Sequence, residues 1–291
     1  MPLIKWKNHQ TENIEVSLML SALQQRYGYD FSGYARASLK RRLMALTQYF
    51  EVAHLTELIP AMLYDEAVAQ TVINSISVPA SEFFRDGAVW KAVREIVLPG
   101  LASFPRINIW QSGCGGGEET YTLAILLHEA GLAKRARIYS SDINPAFLDD
   151  ARAGCWSRRH LDDWRENYRK SGGKQDFEQY FVARDGEICI REELKQSIEF
   201  IQHNLVTDQV FKEVQWVVCR NVLIYFGQEL QDSVLHLLSR SLERGGYLLL
   251  GHAEKIMQLT EHYPDLEELD DQAQLYRKKV CMIRSKVHDH L

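Results

Sequence analysis

No run of about 18 apolar residues occurs anywhere in the chain, which excludes a membrane-spanning helix. The opening stretch, Met1-Pro-Leu-Ile-Lys-Trp-Lys-Asn-His-Gln10, lacks the apolar centre of a secretory leader. Cysteine is scarce. Five residues (Cys114, Cys155, Cys189, Cys219, Cys281), odd in number, widely scattered and never in C-x-x-C spacing, predict reduced thiols of a cytoplasmic protein. The ten histidines contain no H-E-x-x-H, and His252-Ala-Glu254 is too sparse for a metal centre, so no metal is expected. There is no G-x-S-x-G elbow and no cysteine beside a plausible base, which removes the common nucleophilic hydrolases. A basic excess is also missing: the net charge is −5, and nothing in bulk composition calls for nucleic acid. What the chain does have is 291 residues, 46% of them hydrophobic, enough for one large domain or two smaller ones around a substantial core.

Residues 12 to 76 read as helical. Val16, Leu18, Leu20 and Leu23 recur at helical spacing, and Gly28-Tyr-Asp-Phe-Ser-Gly33 breaks the pattern. A second helix runs from about Ala35 to Tyr49, and two more fill Val52 to Ser75. The second is basic: Arg36 and Lys40, four apart, share a face with Arg41 and Arg42 beside it, while Leu39 and Leu43 point to a core. That face is either a solvated surface or a docking site for an acidic partner. From residue 105 the pattern changes to strands separated by helices. Strands are expected at 107–110, 136–142, 197–204, 214–219 and 246–251, with 275–282 closing the sheet; helices are expected at 145–153 and 228–243. This alternation defines an α/β fold with a mostly parallel sheet that takes its ligands at the carboxyl ends of the strands. Tyr180 to Arg191 reads as a β-hairpin turning at Asp185-Gly186, a small subdomain near 176–196 inserted into the sheet. The polar tail from Arg284 to Leu291 is expected to fray.

The chain is organised around Ile107-Asn-Ile-Trp-Gln-Ser-Gly-Cys-Gly-Gly-Gly-Glu-Glu-Thr-Tyr121. A buried strand runs into four glycines (Gly113, Gly115, Gly116, Gly117), where a ligand can meet bare backbone, and then into a helix with acids in its first turn. A G-x-G-x-x-G dinucleotide fingerprint from Gly113 would need its last glycine at Glu118, and no Lys-Ser/Thr follows as a P-loop requires. An acid where a pyrophosphate would sit favours a ligand that carries positive charge, such as S-adenosylmethionine with its ammonium and sulfonium. Glu118 and Glu119 begin the helix, so their side chains diverge and cannot flank one bond. Asp142, at a strand end 25 residues beyond Gly117, lies where ribose hydroxyls are gripped, or else caps the helix that starts at Pro145. Ser81-Glu-Phe-Phe-Arg85 falls between the helical and α/β parts, and its two phenylalanines predict a buried turn that holds Arg85 inward. Arg220-Asn-Val-Leu-Ile-Tyr-Phe226 follows the fourth strand, where such sheets meet their substrates; Tyr225 can equally be a core residue.

Five ordered motifs then carry a resemblance: Phe83-Phe-Arg85, Gly113-Cys-x-x-Gly-Glu-Glu-x-Tyr121, Ser141-Asp-Ile143, Cys219-Arg-Asn-Val-x-Ile-Tyr-Phe226 and Gly251-His-x-Glu254. From about residue 14 to 280 the chain resembles the chemotaxis receptor glutamate methyltransferases of the CheR type. The resemblance implies a Rossmann-like S-adenosylmethionine-dependent methyltransferase sheet with an all-α N-terminal domain (1–78), a methyltransferase domain (79–291) and the small inserted β-subdomain. It implies that Glu118, Asp142, Asn204, Leu205 and Arg220 contact the cofactor, with Gly113 and Asn221 in the same motifs. Ser81 and Arg85 complete the pocket, and Arg85 and Tyr225 sit at the methyl-transfer point. Arg85 holds either the acceptor carboxylate or that of the cofactor. The implied reaction moves a methyl group onto glutamate carboxylates of chemoreceptors, leaving S-adenosylhomocysteine, with Arg36, Lys40, Arg41 and Arg42 as the docking residues. A cytoplasmic monomer with no nucleic-acid partner and no membrane insertion is expected.

The chain departs from the family pattern in places. Pro79 and Ser81 stand where Asn and Thr are usual, Gly115-Gly116 replaces Ser-Thr, and Thr120 replaces a proline, all of which bear on cofactor affinity. The hairpin connection, Ala183-Arg-Asp-Gly-Glu187, is shorter than in relatives that grip a receptor pentapeptide, so pentapeptide-independent docking is expected. The alternatives are a methyltransferase with another protein acceptor and a non-catalytic cofactor-binding sensor or scaffold.

Overall fold

The structure is a computed structural model that describes residues 8–77, 81–254 and 259–280. Pro79, Cys281 and the polar tail lie outside the described residues. Among the described residues no helix is long and apolar enough to cross a membrane.

Four helices come first: α1 (Asn8–Tyr27), α2 (Arg36–Tyr49), α3 (Leu58–Tyr64) and α4 (Glu66–Ile76). They surround a core of their own. Val16, Met19, Leu20 and Leu23 of α1 meet Leu39, Leu43 and Leu46 of α2, with Val72 and Ile73 of α4 and Phe31 of the connecting turn. Each such buried side chain contributes about 1.5–3 kcal/mol. Asp65 starts α4, its carboxylate accepting the Ala67 backbone N–H at 2.8 Å.

Helix α2 corrects one expectation. Lys40 pairs with Glu12 at 2.6 Å, and Arg36 and Arg41 are exposed. Arg42, however, turns away from them, bonds the Ile76 carbonyl and lies over the ring of Tyr225. Helical residues two positions apart are separated by about 200° of rotation, so Lys40 and Arg42 occupy opposite sides.

After the short helices α5 (Gly87–Ala92) and α6 (Leu98–Leu101), joined through a wider turn at Val93–Val97, the sheet begins. In chain order its first elements are β1 (Ile107–Ser112), α7 (Glu118–Glu129), β2 (Ala136–Asp142) and α8 (Pro145–Ala153). The inserted subdomain follows as β3 (Cys155–Ser157), α9 (Leu161–Lys170), β4 (Phe181–Arg184), β5 (Glu187–Ile190) and α10 (Glu192–Lys195). The chain then returns through β6 (Ile198–Gln202), β7 (Val214–Cys219), α11 (Gln228–Ser241), β8 (Leu242–Leu250), α12 (Leu259–His262), β9 (Leu266–Asp270) and β10 (Leu275–Lys278). The main sheet runs β6-β2-β1-β7-β8-β10-β9, with its first five strands parallel. Successive residues face opposite layers. Ile109 and Val218 join the core under α7, whereas Trp110 and Val217 join the core under α11.

The last strands differ from the expectation. β10 pairs antiparallel with β8, but it is β9 that forms the edge. β9 escaped notice because Leu266-Glu-Glu-Leu-Asp270 is mostly acidic, as an edge strand can be. The hairpin turns at Asp185-Gly186, both at positive φ, and β3 joins it to make a three-stranded sheet. In that sheet Cys155 stands directly opposite Cys189, and the two form a disulfide across 34 residues of sequence. The reduced-thiol expectation is therefore corrected for this pair: strand pairing, invisible in the spacing, brings them together. Cys114 and Cys219 are free and buried.

Candidate active site

The strand order reverses around β1, so β2 and β7 part company at their carboxyl ends and leave a crevice. A cavity opens there with about 920 Å³ of free space, part of it continuous with solvent.

The glycine turn forms its floor. Gly113 sits at φ +75°, and a Cβ there would come within 2.3 Å of Val222 Cγ2. The amides of Gly113 and Cys114 both donate to the Ser141 carbonyl (2.8 and 3.0 Å), strapping the turn to β2. Gly115 N–H donates to Asp142 Oδ2 at 3.0 Å, while Asp142 Oδ1 accepts from the Asn144 amide at 2.9 Å. Burial raises the Asp142 carboxyl above the ordinary value, and these amides oppose the shift. The cap of α8 is Asn144, whose side chain accepts from Ala146, so Asp142 braces the turn from the cavity wall. Trp156 of β3 donates to the Gly116 carbonyl at 3.1 Å and ties the subdomain to the same turn.

The two acids that open α7 do diverge. Glu119 lines the cavity and pairs with Arg220 at 2.7 Å. Glu118 is buried beside Gly116 and does not form part of the cavity wall; burial pushes its carboxyl up to about 7.

Arg85 reaches the cavity from a strained turn. Its neighbours Phe84 and Asp86 both adopt left-handed backbone (φ +52° and +58°), each at a cost of about 1–3 kcal/mol. The surroundings hold them there. Phe83 packs among Trp156, Trp164, Phe177 and Phe181, and the Phe84 amide donates to Thr122 Oγ1 at 3.0 Å. The Arg85 carbonyl accepts from Trp90 Nε1 at 2.8 Å. Ser81 Oγ accepts the Glu119 amide at 3.2 Å, which joins this turn to α7. Arg220, its side chain wholly buried, spends its Nη1 on Glu119 and its Nη2 on Asp86, both at 2.7 Å, and lies over Trp90. It lines the cavity, yet its guanidinium is used chiefly to lock the Arg85 turn to α7.

Asn221 (φ +61°), Val222 and Tyr225 descend from β7 onto the opposite wall, with Asn204 and Leu205 from the end of β6 nearby. The residues anticipated as site members (Ser81, Arg85, Gly113, Asp142, Asn204, Leu205, Arg220, Asn221 and Tyr225) all line one cavity, and Glu118 stands behind it. Arg36, Lys40 and Arg41 lie outside it.

The helical part of the chain supplies a wall that the sequence did not reveal: Phe31, Tyr34, Ile76 and Ser77. Tyr34 bridges Phe226, with Ala35 N–H donating to the Tyr225 carbonyl and Gly227 N–H to the Gly33 carbonyl, each at 2.8 Å. The break at Gly28–Gly33 was the available signal, since a turn rich in aromatics rather than polar residues has something to cover. Four lining residues keep a buried polar atom with no hydrogen-bond partner among the described residues: Ser77 Oγ, Ser112 Oγ, His203 Nδ1 and Arg220 Nε. A polar, part-aromatic ligand that offers donors and acceptors fits such a wall.

A parallel sheet with a glycine turn after β1, an acid after β2 and a mixed polar and aromatic crevice defines an S-adenosylmethionine-dependent methyltransferase. Residues 14–77 match the family described as CheR methyltransferase, all-alpha domain, and residues 80–269 match CheR methyltransferase, SAM binding domain. The chain belongs to the CheR methyltransferase family. It is 40% identical over 249 residues to Cher3 of Pseudomonas putida, covering 86% of this chain and 91% of that protein. It is 30% identical to the chemotaxis protein methyltransferase of Listeria monocytogenes over 79% of this chain and 86% of the other. Among solved structures, the N-methyltransferase NodS of Bradyrhizobium japonicum with S-adenosylhomocysteine is 14% identical (TM-score 0.39), covering 68% of this chain and 89% of NodS.

Proposed function

We propose that this methyltransferase esterifies glutamate side chains of chemoreceptors in the cytoplasm, acting as a monomer through a docking domain (1–78) and a catalytic domain (79–291). The observation that carries the reading is the shared cavity. Tyr225 and Arg85 face the cofactor crevice, while the root of the basic helix α2 is hydrogen-bonded to the Tyr225 segment.

The cofactor, when bound, supplies an electrophilic methyl group. The rest belongs to the chain. A glutamate carboxylate, with a pKa of about 4.3 in small peptides, is ionised at neutral pH, so no general base is required. The site has to position it in line and exclude water. Asp142 would offer an acceptor to the ribose hydroxyls, and the bare backbone at Gly113 and Gly115 would leave room for them. Asn204, Leu205 and Asn221 would hold the cofactor from the β6 and β7 side, and Ser81 and Arg85 would complete its pocket. Arg85, held rigidly by its turn, is the fork for a carboxylate. Arg220 acts by fixing that turn, and Glu118 by supporting the glycine turn from behind. Arg36, Lys40 and Arg41 face outward to an acidic helical partner. The hairpin's two-residue turn at Asp185-Gly186 leaves little loop to hold a peptide, which supports docking without a receptor pentapeptide.

The test is transfer of labelled methyl from S-adenosylmethionine to membranes that contain the cognate chemoreceptors. Base-labile label on a receptor-sized band, released as methanol by alkali, is expected. Label stable to alkali, or on another protein, would overturn the glutamate assignment. Micromolar binding of a receptor pentapeptide in calorimetry would overturn the docking mode.

A further inference from the structure

Gly251-His-x-Glu254 has no part in the mechanism above, yet it lies directly under the Tyr225 segment. Glu254 belongs to a single turn after β8, and its residue is 5% exposed. Its Oε1 accepts the amides of Val222 (2.5 Å) and Leu223 (2.7 Å). Its Oε2 accepts the amide of Gly251 at 2.6 Å. The Asn221 amide adds a further hydrogen bond. The forces acting on this carboxyl are burial, which raises its pKa, and those backbone amides, which lower it. A buried carboxylate is costly to keep unless it is well hydrogen-bonded, so four converging amides mark a built contact.

The contact also explains Gly251. A Cβ there would fall 2.6 Å from Glu254 Oε2 and 2.8 Å from the Asn221 nitrogen, so only glycine lets the two turns meet. Above the carboxylate, the tightly wound turn continues through Tyr225 N–H to the Val222 carbonyl (3.1 Å) and Phe226 N–H to the Leu223 carbonyl (3.0 Å). Asn221, in left-handed backbone, starts this turn and Tyr225 ends it.

We infer that Glu254 is a positioning residue for methyl transfer: its carboxylate is the template on which residues 221–225 fold, and it acts on the methyl-transfer step through Tyr225. Glutamine at this position fills the same space but turns a donor toward amides that are themselves donors. The turn then shifts without a cavity opening in the core.

The role in turnover rests on the methyl-transfer reading; the template itself does not. With Glu254→Gln, hydrogen exchange at residues 221–226 should accelerate at least tenfold while the rest of β7 and β8 is unchanged. Its kcat should fall about a hundredfold, the scale of a misplacement near 1 Å, with a smaller loss of S-adenosylhomocysteine affinity through Asn221. In a Tyr225→Phe background the same substitution should add little, because a residue that acts through Tyr225 has nothing left to position. Multiplicative losses in the double variant, or unchanged exchange at 221–226, would overturn the inference. If Glu254→Gln does not fold, Gly251→Ala tests it by wedging the carboxylate from the turn, with the same losses expected and parental exchange and turnover contradicting them. A parent that transfers no methyl group defeats the proposed activity alone, and the exchange experiment still decides the template.

Discussion

The guanidinium of Arg42, from the second helix of the N-terminal domain, lies 4.8 Å from the ring centre of Tyr225 on the wall of the cofactor cavity. A cation over an aromatic face is worth about 0.5–2 kcal/mol, rising as water is excluded. The basic helix thus has two separate sides, one turned to solvent and one turned to the site. Arg42→Ala is expected to lower kcat by about tenfold, the loss of one such contact. Arg36→Ala and Arg41→Ala should raise the KM for receptor with kcat unchanged. Steady-state kinetics with varied receptor separates the two patterns, and a pure KM effect in Arg42→Ala would return it to the docking face.

Arg85 and Arg220 should fail in different ways. Arg85→Ala is expected to lose most methyl transfer while the protein stays folded. Arg220→Ala strips the partner from Glu119 in the interior and should destabilise by about 3–5 kcal/mol, as broken buried pairs do. Denaturant unfolding beside the transfer assay distinguishes them. Near-normal turnover of the Arg85 variant would contradict its place at the reacting end.

The pH dependence of the free protein should carry the signature of Glu118. Its carboxyl is raised by burial from 4.5 to about 7, so between those values the folded protein holds a proton that the unfolded chain has released. That contribution is fully present below the unfolded value and is lost as pH rises through about 7. Glu118→Gln removes the titration. Relative to the variant, the parent's Tm should therefore fall by about 5 °C between pH 5 and pH 8, measured by calorimetry at several pH values. Parallel profiles would show that the carboxyl titrates normally.

Gly113→Ala meets two obstacles, a left-handed backbone and the Val222 side chain. The backbone alone costs about 1–2 kcal/mol. S-adenosylhomocysteine affinity should fall by at least tenfold, and pairing the change with Val222→Ala should recover only the steric part. Isothermal calorimetry on the three variants reads this directly; full recovery in the pair would mean that the backbone strain is negligible.

How much of this was legible depended on the range over which each feature is decided. The glycine turn, Asp142 and the strand–helix alternation are local, written within 10 to 30 residues, and the sequence displays them. Arg85 could be placed because two phenylalanines announce a buried turn. The side chains of Phe31, Tyr34 and Ser77 could not be assigned to the cavity, because packing of one domain on the other decides that. Arg42 was misplaced for a narrower reason: the seven residues from 36 to 42 span most of two helical turns, and charge alone does not say which side meets solvent. The Cys155–Cys189 bond depends on a three-residue strand, too short to leave a pattern.

The bridge between Tyr34 and Phe226 has a consequence for how such proteins change over generations. Cutting the chain near residue 79 would not yield an independent catalytic half, because the Tyr225 carbonyl and the Gly227 amide would lose their mates. A helical domain borrowed from a relative would have to bring a Gly33–Ala35 segment of matching shape. The two segments, Tyr34 and Phe226 with their neighbours, have to change together, so the outer face of α2 is freer to vary than the junction between the two parts.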